Sequence, residues 1–223
     1  MDDLTFAYYP AFRARPDLGG RSAGDLDQLS HEAEILVKEW SDRVAVRGTY
    51  STVGFRADTD LLMWWVARSA EDVQDLVAEF RRTGLGRRLE PTHAFLGLVR
   101  PAEFSRDHLP AFLRGEEPKQ YLCVYPFVRT PEWYLLPAEE RGAMLREHGE
   151  LGREFPDVLA NTTSAFGLSD WEWILAFEAD SPDRLVDCIR RLRDARARAY
   201  TKVEIPFLTG IRRPLVEAVR AMA

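Results

Sequence analysis

The sequence predicts an α+β protein built from two copies of a ferredoxin-like repeat. Three observations carry this: two internally similar turn–strand–helix stretches, a helix-plus-strand segment ahead of each, and an apolar run closing each. Each half therefore reads strand, helix, strand, strand, helix, strand. Two such halves side by side can bury a sheet face between them.

In the first half a helix is expected over about Leu26–Trp40 and a strand over Arg43–Tyr50. The turn at Gly54 then leads through the apolar run ending Trp64-Trp65-Val66 into a helix over Ser69–Arg81. In the second half Tyr121–Val128 reads as a strand and Pro137–Phe155 as a helix, after which Gly167 to Phe177 repeats the turn and strand. The matching helix runs from Ser181 to Arg193. Ser69 and Ser181 are N-cap residues followed by acidic side chains in the first turn, and Pro182 sits where a missing N–H costs nothing. Apolar spacing marks the buried faces at Val73, Leu76, Val77 and Phe80, and at Leu185, Val186, Ile189 and Leu192. The closing runs are Ala94–Val99 and Ile205-Pro-Phe-Leu208. The domain reading is 1–105 for the first half, 106–118 for a linker containing Gly115 and Pro118, and 119–223 for the second half.

Hydrophobic residues make up 46% and charged residues 30% of the 223-residue chain, a globular composition able to bury a sizeable core. The net charge of −6 argues against nucleic acid as a partner. Arginines cluster at Arg81, Arg82, Arg87 and Arg88 and again over Arg190–Arg198, as solvated helix faces or as a docking surface for a ligand with several carboxylates. Cys123 and Cys188 are far apart with apolar neighbours, which points to buried thiols in a reducing compartment. The acidic opening Met1-Asp2-Asp3 does not make a signal peptide, and no apolar run reaches membrane-span length. A cytoplasmic location is expected.

Four histidines are present. His31 falls on a charged helix and His93 at a strand entry. His148 shares a stripe with Met144, Leu145, Leu151 and Phe155. It is either a packed core histidine or a neutral imidazole aimed into an apolar cavity, as an axial ligand of a haem iron would be. No Cys, His or Asp stands near it at structural-zinc spacing. Strand alternation puts Tyr121, Cys123 and Tyr125 on one face. Tyr125 can be a core tyrosine or a redox-active one, with the oxidisable rings of Trp133 and Tyr134 just beyond. His108 lies on the linker, where an imidazole can act as a base near neutral pH.

At these residues the chain resembles the chlorite dismutase-like family and, within it, the actinobacterial coproheme decarboxylases. The matching segments include Val46-Arg-Gly-Thr-Tyr50, Arg81-Arg-Thr-Gly-Leu-Gly-Arg-Arg-Leu-Glu-Pro91, Pro110-Ala-Phe-Leu-Arg-Gly-Glu-Glu-Pro118 and Val124-Tyr-Pro-Phe-Val-Arg129. They continue with Glu132-Trp-Tyr-Leu-Leu-Pro137, Glu147-His-Gly149, Phe155-Pro-Asp-Val158 and Trp171-Glu-Trp-Ile-Leu-Ala-Phe-Glu-Ala-Asp180. The likeness runs in order from about Arg43 to Pro214, while Phe6–Arg13 looks like a variant of the family's opening strand.

The resemblance implies that the duplicated repeats form a dimeric α+β barrel within one chain. It also implies an enzyme that converts iron coproporphyrin III to haem b by two hydrogen peroxide-dependent oxidative decarboxylations of propionates. By motif match His148 is the iron ligand, Tyr125 the redox-active tyrosine and His108 the distal base. Arg129 is a propionate partner, Trp133 a site to which a radical migrates, and Asn161 a further residue of the porphyrin site. Asn161 stands thirteen residues after His148, where some relatives carry a glutamine and chlorite-degrading members an arginine. The absence of that arginine argues against chlorite chemistry, and His108 takes over the glutamine's task. The family's propionate-binding serine and arginine fall near Ala199 and Ala111 and have no counterpart here. A homopentamer and transient contact with coproporphyrin ferrochelatase are also implied. The alternative reading is another haem-binding peroxidase or chlorite dismutase-like protein.

Overall fold

The computed structural model describes residues 4–100 and 109–223. The chain is α+β and falls into two compact units, one running to Val99 and taking in Leu208–Ala223, the other Arg100–Phe207.

The first unit begins with β1 (Phe6–Ala14), α1 (Ala23–Glu39), β2 (Val44–Ser51), β3 (Leu61–Ala67), α2 (Ala70–Phe80) and β4 (Leu89–Leu98). β1 lies between β4 and β3, and β2 flanks β3, all antiparallel. Pro10 sits inside β1 because its pairing with β3 skips Tyr9 and Pro10, where a missing N–H would break a ladder. In β3, Leu61, Met63 and Trp65 pack into the helix-covered core, while Leu62 and Trp64 of the alternate face are also fully buried. That two-sided burial explains the unbroken apolar run. Ser22 and Ser69 cap α1 and α2 by accepting from the Asp25 and Asp72 amides at 3.2 and 3.0 Å.

The second unit holds β5 (Tyr121–Arg129), α3 (Pro131–Leu135), α4 (Ala138–Gly152), β6 (Leu159–Ser164), β7 (Trp173–Ala179), α5 (Pro182–Leu192) and β8 (Thr201–Val203). Its strands run in the order β6-β7-β5-β8, antiparallel throughout. The Cys123, Tyr125 and Phe177 side chains meet Leu185, Cys188, Ile189 and Leu192 of α5 in one cluster. The apolar stripe of α5 thus covers the sheet face that carries Tyr125.

The chain then returns to the first unit with β9 (Leu208–Arg212), paired to β2 at Tyr50↔Arg212 and Ser51↔Ile211, and α6 (Leu215–Ala221), packed on α1. Four expectations change here. The fourth strand of the second unit is β8 rather than the Ile205–Leu208 run, whose Ile205 is exposed, and Leu208 opens β9 instead. The second half therefore ends near Phe207 rather than at residue 223, because the tail finds its hydrogen-bond and apolar partners on β2 and α1. Ser181 occupies the N-cap of α5 without a side-chain bond, and Val186 points to solvent.

Candidate functional site

Alternation along β5 sends Tyr125, Phe127 and Arg129 from one face of the strand into a single cavity of about 450 Å³, counted with its mouth. His148 comes from α4, and α5 adds Ile189 and Leu192, with Arg193 directly after its last turn. The helical turn Arg196–Tyr200 adds Ala197 and Arg198, followed by Thr201 of β8 and by Glu204. The lining is therefore apolar around a few convergent polar groups, as small-molecule sites are.

Tyr125 is 3% exposed and its ring stacks on Phe207, with centroids 4.3 Å apart and planes at 26°. Phe177 flanks it at 6.1 Å. Its hydroxyl has no hydrogen-bond partner among the described residues. Burial first, and the negative charge of Glu204 second, push the phenol well above its ordinary pKa, so it stays protonated at neutral pH.

The His148 ring makes no hydrogen bond to any described residue. Burial and the cationic charge of Arg129 lower its pKa, against a smaller opposite pull from Glu204. A neutral imidazole with a free nitrogen results, which is the form that ligates a metal.

Arg129 is tied down at both ends. Its backbone N–H donates to Glu172 at 2.7 Å and its Nη1 to the Ala197 carbonyl at 2.7 Å. Its guanidinium lies over the rings of Trp133 and Phe127 at 4.3 and 5.0 Å. No carboxylate stands within ion-pair distance of it among the described residues. A fixed cation that makes no direct ion pair suits an anionic ligand. Arg193 and Arg198 also line the cavity, and both are paired with Glu204.

Trp133 is 4% exposed and packs with Met144, Ala197 and Tyr200 beneath Arg129, without lining the cavity. Asn161 is likewise outside the lining. Its amide donates to the Ala176 carbonyl at 3.1 Å and to Glu178 at 3.2 Å, and its oxygen accepts from the Phe112 N–H at 2.9 Å. All of its polar atoms thus join β6 to β7 and to the turn at Ala111–Arg114. His108 lies outside the described residues. His31 is exposed, and His93 stacks on Phe95 beside Asp58.

Sequence reading missed Thr201, which opens β8, and Glu204 and Phe207, which reach the site from the loop after it; none of the three belongs to a motif. Of the arginine run, Arg190 is solvent-facing as a helix-face residue would be, while Arg193 and Arg198 line the cavity. No described helix is long and apolar enough to cross a membrane.

A sequence model of the family described as chlorite dismutase matches residues 27–213, most of the chain. The chain belongs to the chlorite dismutase family. It is 48% identical over 211 residues to a coproheme decarboxylase of Mycolicibacterium smegmatis, covering 94% of this chain and 90% of that protein. A coproheme decarboxylase of Thermus thermophilus is 27% identical over 195 residues, 80% of this chain and 78% of the other. Among solved structures, a mutant chlorite dismutase from Candidatus Nitrospira defluvii superposes with a TM-score of 0.88 at 23% identity, over 98% of this chain and 95% of that one. The chlorite dismutase of that organism in complex with imidazole gives 0.88 at 22%, over 98% of this chain and 94% of that one. At this identity the superpositions establish the fold of this family member.

Proposed function

We propose that this member of the family is a coproheme decarboxylase, taking iron coproporphyrin III to haem b with hydrogen peroxide as oxidant. The observation that carries the reading is the convergence of His148, Tyr125 and Arg129 on one cavity. The similarity to the Mycolicibacterium smegmatis protein of that name supports it.

The residues present fit such a ligand. His148 would hold the iron through its neutral imidazole, and Arg129, which has no direct ion pair among the described residues, would receive a propionate. When bound, the substrate supplies the redox iron and the carboxylates that are lost. Each propionate gives up carbon dioxide, one proton and two electrons to become a vinyl group. Reducing one peroxide to two waters takes those two electrons and two protons, one of them from solvent. Tyr125, protonated and close to the cavity, has both an electron and a proton to pass on. His108 is the base that takes a proton from peroxide. Trp133, in van der Waals reach of Arg129, is the site to which an oxidising equivalent migrates. Asn161 belongs to the frame of the site, holding β6, β7 and the Ala111–Arg114 turn in place.

The strand orders β4-β1-β3-β2 and β6-β7-β5-β8 support a pair of ferredoxin-like repeats, and closure into a dimeric α+β barrel is part of the same proposal. So are a cytoplasmic homopentamer and transient contact with coproporphyrin ferrochelatase, as family membership suggests. The test is to add hydrogen peroxide to the protein loaded with iron coproporphyrin III and follow porphyrin mass. Successive losses of two carboxyl groups with haem b as end point are expected. Peroxide consumption with dye oxidation and no mass change would point to a generic peroxidase instead.

A further inference from the structure

Behind the cavity wall lies a second set of oxidisable side chains that the proposed chemistry does not use. Phe127 lines the cavity and stacks on Trp173, its cross-strand partner on β7, with centroids 6.2 Å apart and planes at 16°. The Trp173 indole stands next to the Tyr134 hydroxyl and lowers its pKa, against the larger raising effects of burial and Glu172. That hydroxyl in turn donates to Glu172 at 2.6 Å, the length of a charge-assisted O–H···O⁻ bond. Phe166 meets both rings edge-on, at 5.4 Å from Trp173 and 6.1 Å from Tyr134. Tyr134 is 41% exposed, so the row begins at the cavity and ends in solvent. Glu172 also accepts the Arg129 backbone N–H at 2.7 Å, which fixes its carboxylate relative to the cavity.

The chemical types matter. Trp173 and Tyr134 are the oxidisable rings of the row, Phe127 connects Trp173 to the cavity, and Phe166 packs against both. A phenol releases an electron far more readily when its proton has somewhere to go at the same moment. Glu172 is already hydrogen-bonded to that proton, at the distance proton transfer requires. Tyr134 otherwise stays protonated, because partial burial and the Glu172 charge both raise its pKa.

We propose that Trp173, Tyr134 and Glu172 form an electron-donor relay that drains an unused oxidising equivalent from the cavity to the protein surface. The proposal rests on the peroxide-dependent reaction above. When peroxide has oxidised the bound substrate and no propionate reacts, Tyr134 supplies one electron through Trp173. Its phenolic proton moves to Glu172, leaving a neutral tyrosyl radical and a protonated carboxyl. A soluble thiolate then returns one electron to Tyr134, becoming a thiyl radical, and Glu172 returns the proton.

The test uses the coproheme-loaded protein, hydrogen peroxide and a nitroso spin trap, with peptide mass spectrometry locating the adduct and porphyrin mass read from the same sample. The expected result is an adduct on Tyr134 in the wild type. It is lost in Trp173→Phe, which keeps the stack but removes the oxidisable indole, and reduced in Glu172→Gln, which keeps shape but removes the proton acceptor. Tyr134→Phe is expected to bleach its porphyrin faster under excess peroxide. Haem b formation with no adduct on Tyr134, or an adduct that persists in Trp173→Phe, overturns the relay and leaves the decarboxylase reading standing. Wild-type protein that makes no haem b overturns that reading and the relay with it.

Discussion

Tyr125 and Phe207 lie face to face with ring centroids 4.3 Å apart, and this contact pins the tyrosine ring at the cavity wall while its hydroxyl remains without a partner among the described residues. Packing and chemistry are therefore separable at this position. Tyr125→Phe keeps the stack on Phe207 and Phe177 and removes only the O–H. No hydrogen bond is lost, so thermal stability should be unchanged. Coproheme should still bind, but addition of peroxide should yield unconverted or bleached pigment. Haem b at a rate comparable to wild type would exclude the redox role.

His148→Ala deletes an imidazole that lines the cavity and makes no hydrogen bond to any described residue. The variant should fold with a wild-type far-UV spectrum and lose the absorption bands of histidine-ligated ferric coproheme. Restoring those bands with free imidazole would confirm that the missing group is the ligand. An unchanged Soret band without imidazole would sink the assignment.

Arg129 presents a forked cation with no carboxylate partner among the described residues. Replacing it by lysine keeps a charge but loses the fork and the Ala197 tether. A charge-assisted hydrogen bond is worth about 1.5–3 kcal/mol, so coproheme should bind roughly ten- to a hundredfold more weakly to Arg129→Lys. Iron porphyrin with esterified propionates should bind wild type and variant alike. A variant that weakens both ligands equally would show that Arg129 shapes the wall rather than reading a carboxylate.

Away from the cavity, Arg184 of α5 forks onto Asp157 at 2.6 and 2.9 Å, joining the helix to the turn before β6. That bond holds the Asp157 carboxyl at about 2, down from 3.8. A depressed carboxyl pKa stabilises the fold above its unfolded value, and the benefit drains away as pH falls through the folded one. The difference in Tm between wild type and Asp157→Asn should therefore be constant at neutral pH and close between pH 3.8 and about 2. A difference that does not vary with pH would mean the pair is held by packing alone.

Much of the fold was legible in the residues. The cap serines and apolar spacing located α2, and the alternation of β5 put Tyr125, Phe127 and Arg129 on one face, because local hydrogen bonding and side-chain period act over a few neighbouring positions. The stripe on α4 that carries His148 was visible for the same reason. The last strand of the second unit was not. Ile205–Leu208 is as apolar as a strand needs, yet β8 forms upstream of it and Leu208 pairs away into β9. Strand partnership is a matter of which free edge lies near, and no local pattern encodes that.

The site divides along the same line. Local periodicity was enough to mark out the side chains able to do the chemistry: a tyrosine, an arginine and an imidazole, each placed by the period of its own strand or helix. Tertiary structure decided which of them meet and in what state. It buried Tyr125 so that the phenol stays protonated, and buried His148 beside Arg129 so that the imidazole stays neutral. It also brought Glu204 and Phe207 to the cavity from a loop about eighty residues from Tyr125. It turned Asn161 inward, where all of its hydrogen bonds go to Phe112, Ala176 and Glu178 instead of the cavity. Burial and electrostatic coupling depend on distances across space, and those exist only once the chain has folded.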